Sequence, residues 1–322
     1  MPEPQTFAAT RFSTENLREH DRIAAWREFY SRMALWIDAE PSEPFGCALV
    51  SRTLPDLQLF SSKMSAVRIT RMGMLTGGET DDLAFMINHA GAITASEPRR
   101  GATLEAGEAV LMSGSDISAF RRHSTGASLS LRIPRAALSP IVSDLDESVM
   151  RKIPQNSGAL WLLTNYASAL VDDEALASPE IRAAAVHHVH DLVALTLGAT
   201  RQGTEIARLR GLPAARLKLA KTYILANSAR HDLSVGAVAA QLGVTPRNVQ
   251  QLFERDGTTF STYVLARRLT RAHRMLTAPR FTHLAIGAIA YEVGFGDLSY
   301  FNRSFKQRFG VTPRDVRNGQ RN

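Results

Sequence analysis

Residues 234–253 and 284–305 carry the same pattern twice. The pattern is met by a helix, a tight turn and a second helix. The first copy reads SVGAVAAQLG at 234–243 and VTPRNVQQLF at 244–253. The second reads LAIGAIAYEVG at 284–294 and FGDLSYFNRSF at 295–305. Ala239 matches Ala290, Gly243 matches Gly294, Val249 matches Phe301 and Phe253 matches Phe305. The offset is 51 residues before the turn and 52 after it, so the second turn is one residue longer.

The local chemistry explains each position. Ser234 caps a helix that buries Val238 and Leu242. Gly243 ends it, because glycine takes the left-handed conformation past a helix C-terminus. Thr245 and Pro246 open the next helix as hydroxyl cap and first-turn proline. That helix buries Val249, Leu252 and Phe253. Alanines 239 and 290 let two helices cross closely. A second helix of this kind fits the DNA major groove. Its outward positions are then the base-reading candidates. These are Arg247, Gln250 and Gln251 in the first copy, and Leu298, Ser299, Asn302 and Arg303 in the second. Arginine pairs with guanine, and asparagine or glutamine with adenine, through two hydrogen bonds each. Lys306 and Arg308 are placed for phosphate.

Residues 260–276 lie between the copies. Leu265, Leu269, Ala272 and Leu276 form an apolar seam, and Arg267, Arg271 and Arg274 line another face. A continuous helix here would hold the two reading helices about one DNA turn (~34 Å) apart, so that they enter successive major grooves. Charge agrees with this placement. Residues 206–322 hold 19 Lys/Arg and 6 Asp/Glu, a net +13, whereas residues 1–205 hold 19 and 25, a net −6. A basic module attracts a polyanion and gains from counterion release.

The remaining two-thirds of the chain reads differently. A helix is expected at 21–34, holding Ile23, Trp26 and Tyr30. Short apolar runs at 45–54, 57–62, 67–74, 83–88, 91–96, 109–112 and 127–133 are separated by turn residues. That spacing points to a sandwich or barrel. Helices are expected at 157–171 and 179–196. In the second, Ile181, Ala184, Ala185, His188, Leu192 and Leu195 make one stripe, for packing on the sheet or on a second copy of the chain. The segment 198–213 has three glycines, a proline and few large apolar residues, and reads as a linker between domains 1–197 and 214–322.

The second copy, from Ile289 through Asn302, Arg303 and Lys306 to Pro313 and Arg317, resembles the signature of the AraC/XylS family of bacterial transcription regulators. The first copy and Arg268-Leu269-Thr270-Arg271-Ala272 match as well. Gly296 departs from it, since a polar residue is more usual there. So does Leu298, which suits a thymine methyl. The resemblance covers about 100 C-terminal residues. More loosely, residues 1–197 are similar to the effector domain of one branch of the family, with Trp26-Arg27 in its opening helix and 104–112 as a barrel hairpin. The resemblance implies an α+β multidomain chain. Its N-terminal half would be a cupin-like β-barrel with dimerisation helices, and its C-terminal half an all-α domain with two helix-turn-helix units joined by a linker helix. Implied partners are double-stranded DNA, a small organic effector, a second copy of the chain and RNA polymerase.

Other classes find less support. Cys47 is the single cysteine, which excludes an internal disulfide, a zinc finger and a CxxC redox site. No apolar run reaches the ~18–20 residues that span a bilayer, and the start MPEPQTFAAT lacks a basic-then-apolar leader. A cytoplasmic protein without membrane partner is expected. No catalytic motif, phosphate loop or dinucleotide fingerprint occurs. His89 and His123 stand alone, and His187, His188 and His190 have only partial metal spacing. No enzyme, metal or cofactor is expected. The alternatives are a DNA-tethered enzyme with a catalytic barrel and a non-specific architectural DNA binder. Effector pocket residues, operator and sign of control are not legible.

Overall fold

Alternation of covered and uncovered side chains turns the apolar runs of the first half into strands. The computed structural model describes residues 7–31, 37–41, 44–71, 81–97, 100–113 and 118–319. The chain divides into two units, Met1–Ala215 and Arg216–Asn322. In the first, the strands are Thr10–Ser13 (β1), Ile37–Pro41 (β2), Cys47–Leu54 (β3), Leu57–Met64 (β4), Val67–Arg71 (β5), Asp82–Ala90 (β6), Ile93–Glu97 (β7), Arg100–Leu104 (β8), Ala109–Ser113 (β9), Ser118–Arg122 (β10) and Gly126–Pro134 (β11). A six-stranded sheet has the order β1-β3-β4-β11-β6-β9 and a five-stranded sheet the order β2-β5-β10-β7-β8. All neighbours are antiparallel. Cys47, Leu49 and Met64 of one sheet pack with Ala39 and Val67 of the other. Further along, Ile93, Ala95 and Leu104 pack with Val110 and Met112.

This architecture corrects two expectations. The cupin-like unit is a sandwich of two sheets and not a closed barrel, because β1 and β9 remain edges of one sheet and β2 and β8 edges of the other. Residues 104–112 are not a hairpin either. β8 pairs with β7 and β9 pairs with β6, so the chain changes sheet between them. Asn88 fixes that crossing. Its amide donates to the carbonyls of Leu104 at 3.1 Å and Gly91 at 2.6 Å, and its backbone carbonyl accepts from Gly107 N–H at 2.7 Å. Gly107 sits at φ +84, in the left-handed region that favours glycine.

Among the described residues, the α-helices that accompany the sandwich are Glu19–Ser31 (α1), Arg135–Leu138 (α2), Leu145–Ser148 (α3), Gly158–Val171 (α4), Pro179–Leu197 (α5) and Arg201–Leu209 (α6). α1 inserts Trp26, fully buried, beside Phe45. Residues 32–34 of its expected range and 72–74 of an expected strand lie outside the described residues. α4 is capped by Ser157 and packs on β3, β4 and α5. α5 buries Val186, Val189, Leu192, Val193 and Leu197. The apolar stripe is therefore rotated from the expected one, and Ile181 is 48% exposed. Residues 198–213, read as a linker, are helical at Arg201–Leu209 and again from Gly211. Thr200 caps α6 by accepting from Gly203 N–H. Asp191, 1% exposed, accepts two hydrogen bonds of 2.8 Å from Arg210.

The helices of the C-terminal half are Gly211–Asn227 (α7), Val235–Leu242 (α8), Pro246–Arg255 (α9), Phe260–Thr277 (α10), Ile286–Glu292 (α11), Leu298–Phe309 (α12) and Pro313–Gly319 (α13). Two cores form here. Ala220, Ile224, Val238, Ala239, Leu242, Val249 and Phe253 make the first. Ile289, Ala290, Val293, Phe295, Phe301 and Phe305 make the second. α10 serves both, with Val264 in the first and Leu269, Ala272, Met275 and Leu276 in the second. At 1.5 Å per residue it is a rod of about 27 Å.

Candidate nucleic-acid interface

Each helix-turn-helix unit is fixed by its own caps. Ser234 Oγ accepts from Ala237 N–H, Gly243 takes φ +62, and Thr245 Oγ1 accepts from Asn248 N–H ahead of Pro246. In the second unit Gly294 takes φ +99 and the Asp297 carboxylate accepts from Tyr300 N–H at 2.6 Å. The equivalent alanines, Ala239 and Ala290, are each 2% exposed.

These caps set which face each second helix shows. On α9, Val249, Leu252 and Phe253 are buried, while Arg247, Gln250 and Gln251 are exposed. On α12, Phe301, Ser304 and Phe305 are buried, while Leu298, Ser299, Asn302, Arg303 and Lys306 are exposed. All eight candidate residues thus stand on outward faces. Tyr300 joins them at 47% exposure, its ring leaning on Phe295 at 6.1 Å. Sequence reasoning passed over it because an aromatic in an apolar pattern reads as core. The arginine stripe of α10 is partly engaged within the protein. Arg267 lies over the Tyr263 ring at 4.7 Å, and Arg271 is 3.8 Å from Glu292. Lys306 and Arg308 occupy the last turn of α12, where positive charge suits the helix dipole.

A second candidate site lies inside the sandwich. A cavity of about 160 Å³ opens between the sheets. Its walls include Phe60, Met64, Ile69, Met86, Met112 and Phe120, with Tyr30 from α1. Its polar lining is Ser62, Ser128, Ser130 and the ion pair of Asp82 with Arg132, 2.7 Å apart. The three helix histidines point to different partners: His187 to the Ala183 carbonyl, His188 to the Tyr166 hydroxyl and His190 to the Asp56 carbonyl. Among the described residues no cluster of His, Cys, Asp and Glu could hold a metal ion. No described helix is long and apolar enough to cross a membrane.

Two helix-turn-helix units sharing one helix, on the same chain as a sandwich with an internal cavity, define a two-part chain: a double helix-turn-helix module of the kind that enters DNA grooves and a cavity-bearing β-sandwich. Comparison with known proteins agrees. Residues 26–198 match the AraC-binding-like domain and residues 238–319 a helix-turn-helix domain, and the chain belongs to the AraC family. Helix-turn-helix regulators of this family bind double-stranded DNA. A similar protein is the transcriptional activator RhrA of Rhizobium meliloti (strain 1021), 38% identical over 58% of this chain and 57% of that protein. The match thus spans just over half the length of that relative. The transcriptional activator NphR of a Rhodococcus species is 23% identical over 85% of this chain and 81% of its own. Among solved structures, the AraC-like transcriptional activator CuxR aligns over 82% of this chain and 95% of its own, with 21% identity and a TM-score of 0.48.

Proposed function

We propose that this chain is a sequence-specific transcriptional regulator. It reads double-stranded DNA through α9 and α12 and changes its action when a small organic effector occupies the sandwich cavity. The observation that carries this reading is the division of α9 and α12 into a buried apolar face and an exposed face bearing Arg247, Gln250, Gln251, Asn302 and Arg303. Every surface helix has an inner and an outer face; what supports the reading is that both outer faces, in matched duplicate, carry side chains that pair with base edges.

RhrA and NphR carry the name transcriptional activator, which favours activation, with RNA polymerase as the further partner. A homodimer is proposed through α4 and α5. Trp161 at 39% exposure and Ile181 at 48% supply exposed apolar area there. The work is done in the cytoplasm, where the DNA is, and calls on no catalysis, metal or cofactor.

Gel-shift titration against DNA from upstream of genes in the source genome tests the reading. At physiological salt, one or more duplexes should hold the protein against excess random duplex. Equal competition by random duplex with a steep salt dependence would identify an architectural binder instead.

A further inference from the structure

Arg122 is fully buried inside the sandwich, beside the cavity. It stands two residues from Phe120 on β10, so both side chains point to the same face. Its Nη1 donates to the Ala90 carbonyl and its Nη2 to Ser128 Oγ, each at 3.0 Å. Its guanidinium carbon lies 5.8 Å from the centre of the Phe120 ring. Nε has no partner, and no carboxylate among the described residues pairs with the group. Burial lowers its pKa to about 10, which leaves it charged at neutral pH. The ionisable group it acts on is the Cys47 thiol, which burial raises to about 12 and so keeps neutral. A buried cation without a counter-charge is costly.

Two of its contacts, Phe120 and Ser128, are walls of the cavity. A guanidinium only donates, so Ser128 Oγ is the acceptor of that bond. Ser128 Oγ and Ser62 Oγ are 3.1 Å apart and share one hydrogen bond. Whichever hydroxyl donates in it, the other keeps a hydrogen with no acceptor among the described residues. Both line the cavity. The Tyr30 hydroxyl, on the same lining, also makes no hydrogen bond with them. The Asp82–Arg132 pair, by contrast, satisfies its own charge. The cavity therefore offers donors backed by an uncompensated positive charge, and walls that are apolar apart from Ser130 and the Asp82–Arg132 pair. Its 160 Å³ is close to the roughly 150 Å³ that encloses a benzene ring.

We propose that the cavity takes a small organic anion: a carboxylate on an apolar body of about one ring, accepting from the Ser62–Ser128 pair while Arg122 supplies the counter-charge. This rests on the reading that the cavity is the effector site, and it assigns the effector's chemical class. A neutral ligand leaves Arg122 uncompensated, and a cation is repelled by it.

Isothermal titration of the full chain with hexanoate, cyclohexanecarboxylate and phenylacetate, each against its primary amide, tests the assignment. Each carboxylate should bind at least about tenfold tighter than its amide, the scale of one charge-assisted hydrogen bond. Arg122→Met should abolish that preference and Arg122→Lys retain it. Ser128→Ala removes only a hydroxyl and should weaken the preference even if Arg122→Met fails to fold. Amides binding as well as acids, a preference untouched by Ser128→Ala, or no carboxylate binding at all would overturn the proposal. Gel shifts with the same compounds separate it from the effector reading. A neutral compound that binds and alters operator affinity keeps the effector role and discards the anion. A carboxylate that binds with the expected preference but leaves operator affinity unchanged keeps the anion site and discards the effector role.

Discussion

Arg268 lies against Gly294: a Cβ added to that glycine would come 2.8 Å from the arginine Nε. The same Nε donates to the Ser228 carbonyl at 2.8 Å, and Nη2 donates to the Arg230 carbonyl at 2.8 Å. One side chain of α10 thus joins the segment leading into the first helix-turn-helix to the turn of the second. His231 and Tyr291, with ring centres 4.4 Å apart, tie the same parts together. The register between the two units is held by this packing as well as by the rod.

Gly294→Ala should therefore destabilise the C-terminal unit by about 2–3 kcal/mol, from strain at φ +99 and from the clash with Arg268 and the Ser228 carbonyl. Urea unfolding of the purified variant measures this. An unchanged midpoint would show that the two units are not locked through this turn.

The two faces of α12 should separate in mutagenesis. Phe301→Ala, at a fully buried position, should cost about 3–5 kcal/mol of stability. Leu298→Ala, at an exposed one, should stay within about 0.5 kcal/mol yet weaken operator binding. Thermal unfolding and gel shift on the same preparations check both. Equal stability losses would mean that Leu298 belongs to the core.

Arg303→Ala should cost about 1–3 kcal/mol of binding at a single base position and relax specificity there. Arg247→Ala should do the same at a different position, about one helical turn away. A panel of single-base operator variants reads this out. A loss of equal size on every sequence would make these arginines phosphate contacts.

Stability of the N-terminal unit should fall on acidification. Burial lowers the pKa of His190, opposed by its hydrogen bond to the Asp56 carbonyl and by Asp191. Burial lowers His89 and His188 as well. The unfolded chain, with histidines near ~6.5, then binds more protons than the folded one. The contribution is complete above that value and is lost as pH falls through the lower folded values. Thermal unfolding from pH 8 to pH 5 should show this fall, and His190→Gln should flatten it. An identical slope in the variant would contradict the assignment.

The C-terminal half was legible because its determinants are local: Ser234, Gly243, Thr245-Pro246 and their repeats set caps and turns within a few residues. The N-terminal half was less so because its determinants are distant in sequence. β10 was missed since SAFRR looks like surface, whereas the sandwich buries Arg122 completely. In the sequence α6 reads as linker partly because of Gly203, a residue that costs helix propensity. Yet glycine is needed there, since a Cβ would lie 2.6 Å from the Ile141 carbonyl. The hairpin expectation failed at the β8–β9 crossing, where Asn88 holds a change of sheet that no local pattern marks. The barrel expectation failed because closure depends on edge pairing between β1, β9, β2 and β8 that no local pattern reports. The outward residues of α9 and α12 are legible from sequence because outward and inward positions follow from the helical repeat alone.

Hydroxyl-radical footprinting on a bound operator addresses the central claim, that two reading helices on one rod engage the same face of the duplex. Two protected patches should lie about 10 base pairs apart. Arg247→Ala should fade one of them and Arg303→Ala the other. A single patch sensitive to only one of these substitutions, or protection that random-sequence duplex reproduces at physiological salt, would contradict it.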